Sequence, residues 1–106
     1  MIYLASPYSD PDPAVQEERF RAVCCQAAEM MGKGLYVFSP VAHCHPIAAY
    51  GLPRDYSYWK GYNLAFLTVC TELVVLKLPG WEVSEGVTGE IALAKELGKP
   101  VRYVDA

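Results

Sequence analysis

The segment Ser84-Glu85-Gly86-Val87-Thr88-Gly89-Glu90 lies between an apolar run and a helical pattern. Two glycines in a strand-to-helix turn permit close backbone approach and leave amide N–H groups pointing outward. Ser84 adds a hydroxyl. Gly86 and Gly89 supply the open backbone, and a phosphate or carboxylate would be at home among these groups. Glu90 falls in or near the first helical turn, beside that pocket. A structural reading competes: Ser84 caps the helix and Glu90 complements its dipole.

Other residue types capable of chemistry are scattered along the chain. His43-Cys44-His45 tempts a metal assignment, but no further Cys or carboxylate stands at ligand spacing, so no metal site is expected. His45 precedes Pro46, which favours extended backbone. It reads either as a contact to a base or phosphate, or as a loop-packing residue. Ser6, before Pro7, is a phosphate donor or a turn residue. Tyr56, Tyr58, Trp59, Tyr62 and Trp81 suit stacking on a nucleobase, core packing or a dimer interface. Cys24, Cys25, Cys44 and Cys70 read as reduced, mostly buried thiols, as expected in a reducing compartment.

The elements that must position these residues follow from periodicity. Ile2–Ala5 reads as a buried first strand. Ser9 to Pro13 is a turn cluster that starts a helix, with Phe20, Val23, Cys24, Ala27, Met30 and Met31 at helical spacing. Gly32 and Gly34 stop it, and Leu35–Phe38 is a second buried strand. Ser39 to Asp55 shows no period and reads as a long functional loop. Asp55 to Cys70 is helical, with Trp59, Asn63, Phe66, Leu67 and Cys70 on one face. Leu73–Leu78 is the strongest strand, and Pro79 to Gly86 is a second loop. Val87, Ile91 and Ala94 mark a last helix, and Val101–Val104 a last strand. Helices between short apolar strands predict one domain, residues 1–106: a flavodoxin-like, doubly wound parallel α/β sheet of four to five strands in three αβα layers. Ligands in such sheets sit beyond the strands' carboxyl ends, which gathers the loops after strands one, two and three.

Composition narrows the function. The 106 residues are 53% hydrophobic and 20% charged, with net charge −3. This argues against an electrostatic grip on a nucleic-acid polymer or a membrane surface. No apolar run approaches the ~20 residues of a membrane span, and Met1–Pro7 lacks the basic flank of a signal peptide, so a cytoplasmic location is expected. The first turn, Ser6-Pro7-Tyr8-Ser9, has no glycine, so the dinucleotide fingerprint is absent and no cofactor is expected. The aromatic surface suggests a homo-oligomer.

Ser84-x-Gly86-Val87-x-x-Glu90, after an apolar strand and before Ala94 and Gly98-Lys99-Pro100-Val101, resembles the nucleoside 2-deoxyribosyltransferase superfamily, which includes nucleoside 5′-monophosphate N-glycosidases. Ile2–Ala5 looks like its opening strand and Asn63-Leu64-x-x-Leu67 like its middle helix, so the resemblance covers nearly the full length. It implies that Glu90 is a nucleophile attacking an anomeric carbon, with Tyr3 hydrogen-bonded to it. A core role for Tyr3 is the alternative. At the position of Ser84 the transferases usually carry aspartate and the monophosphate hydrolases serine, and a hydroxyl would accept a 5′-phosphate that an aspartate repels. Asn63 departs from the pattern. The matching residue is commonly an aspartate that assists departure of the base, and an amide cannot be a general acid. A neighbouring histidine or water would then supply the proton, the leaving group would need none, or the chain would be a non-catalytic nucleotide-binding module. The implied partner is a small nucleoside or nucleotide.

Overall fold

Ile2–Ala5 (β1) is buried along its whole length. The structure, a computed structural model, describes residues 1–106. Asp12 accepts from the Ala14 amide and Pro13 occupies the first turn, where its missing N–H costs nothing, so a helix starts there and runs Pro13–Gly32 (α1). Gly34 then takes a positive φ of 86°, which turns the chain into Val37–Phe38 (β2). β2 is shorter and less buried than the sequence suggests. Leu35 and Tyr36 are exposed, because β2 is an edge strand bonded to β1 alone.

A second helix, Pro40–Ala48 (α2), occupies ground that reads as loop in the sequence. Ser39 caps it by accepting from the Ala42 amide, Pro40 sits in its first turn, and Val41, Cys44 and Ala48 form its buried stripe. Pro46 lies inside it and leaves the Ala42 carbonyl without its helical N–H partner. His45 is accordingly helical, not extended. Asp55 caps Tyr56–Val69 (α3), which buries Asn63 and Leu67. Glu72–Lys77 (β3) follows, then a single 3-10 turn at Trp81–Val83, then Glu85–Glu96 (α4) and Val101–Asp105 (β4).

The four strands are all parallel in the order β2-β1-β3-β4, with Tyr3 beside Phe38 on one side and Leu73 on the other. Alternate residues of β1 feed two cores. Ile2 and Leu4 join Val23, Ala27 and Met30 of α1, whereas Tyr3 and Ala5 join Leu67 of α3 and Val87 and Ala94 of α4. Helices therefore cover both faces, giving a three-layer, flavodoxin-like α/β fold. No helix is long and apolar enough to cross a membrane. Of the four cysteines, Cys44 and Cys70 are buried, Cys24 is partly buried and Cys25 is exposed on the outer side of α1. Burial of most of the thiols is thus not observed.

Candidate active site

β1 lies where the chain order reverses, with β2 on one side and β3 on the other, so loops diverge at its carboxyl end and leave a cleft. The cleft has a volume of about 460 Å³, the size of a small-ligand site. All three loops predicted to converge contribute: Ser6–Asp10 after β1, Pro40–Ala48 and Arg54–Trp59 after β2, and the Gly80–Gly86 region after β3.

Glu90 reaches the cleft from the inner side of α4, on the stripe Val87, Glu90, Ala94 that packs on the sheet. It is 3% exposed. Tyr3 Oη donates to Glu90 Oε2 at 2.5 Å from the fully buried β1, behind the carboxyl rather than in the cleft. Burial pushes the Glu90 carboxyl up to about 7, while the Tyr3 hydrogen bond opposes the shift. Burial, then the Glu90 charge, pushes the Tyr3 hydroxyl up, so it stays protonated as a donor. A carboxyl in mid-stripe with its proton balanced near neutrality is costly to keep for structure alone, which marks a candidate site.

Two buried hydroxyls in the cleft wall have no partner: Ser6 Oγ and Tyr56 Oη. Ser84 also lines the cleft, and its Oγ caps α4 by accepting from the Val87 amide at 3.2 Å. Capping spends an acceptor lone pair and leaves the hydroxyl proton free.

The two glycines do not form the strand-to-helix turn. They lie inside α4, and the left-handed turn residue is Gly80, φ 93°. What they accommodate is Tyr56. A Cβ on Gly86 would stand 3.1 Å from its ring, and one on Gly89 would stand 3.0 Å from its hydroxyl. Gly86 still borders the cleft; Gly89 does not. The first-turn position of Gly86 leaves its amide without an acceptor in the helical ladder.

Asn63 also lines the cleft, and its Oδ1 accepts from Cys44 Sγ at 3.9 Å. Burial pushes the Cys44 thiol up to about 11, which keeps it a donor. His45, 6% exposed, is stacked on Phe20 at 4.4 Å. Its Nδ1 meets Tyr8 Oη at 2.5 Å and its Nε2 meets Glu17 Oε1 at 3.0 Å. His43 turns away to Tyr62, 2.7 Å from its Nε2, and no three ligand-type side chains are grouped to hold a metal ion. Of the aromatic cluster, Tyr56 and Trp59 reach the cleft, whereas Trp81 packs against Tyr103.

Sequence reasoning passed over Tyr8, Glu17, Arg19 and Arg54. Tyr8, Arg19 and Arg54 line the cleft. The loop after β1 was the one available signal, since it had to border any ligand site. Glu17 carries no such signal, because its partner His45 is 28 positions away. No curated protein matches this chain. Residues 1–105 match a family described as a domain of unknown function (DUF1937), and the chain belongs to that family.

Proposed function

We propose that the protein is an N-glycosidase or deoxyribosyltransferase that cleaves the N-glycosidic bond of a nucleoside or nucleoside 5′-monophosphate, with Glu90 as nucleophile. The observation that carries this reading is Glu90 itself, a carboxyl 3% exposed, aimed by Tyr3 and open to a cleft of about 460 Å³. The resemblance of Ser84–Glu90 to the nucleoside 2-deoxyribosyltransferase superfamily supports it. Attack by the carboxylate displaces the base and leaves a glycosyl ester, which water or a second base resolves. Ser6 Oγ and Tyr56 Oη are unsatisfied donors that suit the hydroxyl-rich sugar, and Ser84 with the first-turn amides of α4 suits a 5′-phosphate.

Base release from a panel of nucleosides and their 5′-monophosphates tests the reading. We expect release from at least one, abolished by several orders of magnitude in Glu90→Ala. No release from any member, or equal release by the variant, overturns it. One observation favours a non-catalytic binding module instead: the amide of Asn63 stands in the cleft where an acid would be useful. A nucleotide that raises the melting temperature and is recovered intact would support that second reading.

A further inference from the structure

The proposed cleavage needs a proton for the departing base, and Asn63 has none to give. Cys44 holds its proton toward Asn63 Oδ1. On the wall formed by α1, α2 and the loop after β1, three residues from separate elements form one hydrogen-bonded chain. Glu17 Oε1 meets His45 Nε2 at 3.0 Å, and His45 Nδ1 meets Tyr8 Oη at 2.5 Å. Tyr8 and His45 line the cleft, while Glu17 is partly exposed behind them. Phe20, stacked on the imidazole at 4.4 Å, fixes the ring plane, and Tyr8 meets it edge-on at 5.4 Å. In a chain of carboxylate, imidazole and hydroxyl, the carboxylate orients the imidazole and the imidazole exchanges a proton with the hydroxyl.

We propose that Tyr8 is the general acid that protonates the leaving base, with His45 and Glu17 as the positioning residues that resupply its proton. The proposal rests on the glycosidase reading above. In the form that acts, His45 donates from both nitrogens, Nε2–H to Glu17 Oε1 and Nδ1–H to Tyr8 Oη, which leaves the Tyr8 proton for the cleft. As the bond from C1′ to the base nitrogen breaks, its electron pair leaves with the base and the Tyr8 proton is added there. A Glu90 oxygen forms the new bond to C1′, and the His45 Nδ1 proton passes to Tyr8. In the second half, water oxygen attacks C1′, the Glu90 carboxylate departs, and the proton released from water returns through Tyr8 to His45. Net consumption is one water, and the protein ends as it began. The charged and titratable groups facing His45 and Tyr8 are Glu17 from α1, Arg54 from the segment before α3, and Cys44 beside His45 on α2.

The test compares a purine nucleoside monophosphate with its N7-methylated counterpart, whose base departs without needing a proton. In a single turnover, before the glycosyl ester is hydrolysed, Tyr8→Phe and Glu17→Gln should slow release of the ordinary base by roughly 100-fold or more, the usual scale of a general acid, and leave release of the methylated base nearly unchanged. Thermal melting of both variants checks that they fold. Equal slowing of the two substrates, or slowing of neither, overturns the proposal while the glycosidase reading stands. No release by the parent from either substrate overturns both.

Discussion

Glu90 occupies a position on α4 that an apolar residue would fill if packing were all that mattered, between Val87 and Ala94 on the buried stripe. Its pKa in the folded chain, about 7, lies above the value of 4.5 that it has when exposed. Folding therefore favours the neutral carboxyl. That contribution is complete below pH 4.5 and is lost as the pH rises through about 7. Glutamine copies the neutral form at every pH. The stability of Glu90→Gln relative to the parent should then rise by roughly 3 kcal/mol between pH 4 and pH 8. Urea denaturation at the two pH values measures it, and a constant gap between the two proteins would refute the burial of an ionisable group here. The same titration governs chemistry. A nucleophile must be ionised, so the acid limb of kcat/KM for the parent should climb as the pH rises toward about 7. A profile flat from pH 5 to pH 9 would remove Glu90 from that role.

At the scale of elements, α3 and α4 meet through Tyr56, and the glycines of α4 exist in relation to it. Gly in a helix interior costs about 0.5–1 kcal/mol relative to Ala. Gly61, within α3, has open space where a Cβ would stand, so Gly61→Ala should stabilise the protein by about that amount. Gly86→Ala should not, because the new methyl meets the Tyr56 ring at 3.1 Å. Combining Gly86→Ala with Tyr56→Ala should restore the gain. Chemical denaturation of the four proteins closes this cycle, and an equal gain from Gly86→Ala with and without Tyr56 would show that the ring does not constrain the helix. These helices also show what the sequence could disclose. Strands β1 and β3 and helices α1, α3 and α4 were legible because an apolar run or a 3.6-residue stripe is local. The nine residues of α2 were not, since Pro40, Pro46 and the two histidines break any period and the helix depends on its Ser39 cap and on packing of Val41, Cys44 and Ala48. Glu90 and Tyr3 could be paired only through family resemblance, as 87 positions separate them. Tyr8, His45 and Glu17 had no such help, and their contacts span 37 and 28 positions.

The whole molecule places its cleft where the two halves of the sheet part, and the same divergence leaves the rims of the cleft without a shared strand. Arg19 of α1 spans the gap. Its guanidinium donates to Ser9 O in the loop after β1 at 3.1 Å and to Pro79 O in the loop after β3 at 3.2 Å. Gly80 makes room for it, since a Cβ there would stand 3.1 Å from Arg19 Nη2. Both bonds are exposed, so each adds little to global stability. Their effect is on the relative motion of two rims that belong to opposite halves. Arg19→Met keeps much of the aliphatic stem and removes the fork. We expect it to cost about 1 kcal/mol in overall stability while raising amide exchange sharply in two separate stretches, 6–10 and 79–84. Exchange in β1 and β3 should stay near the parent's, because those strands open only with the whole fold. Ligand affinity should fall with the loss of order in both rims, since a site assembled from mobile loops must be ordered at the ligand's expense. Unchanged protection in both stretches would mean that the loops are held by their own packing and that the arginine serves only as a cleft-lining cation. Faster exchange in one stretch alone would place the fork's effect on a single half of the sheet.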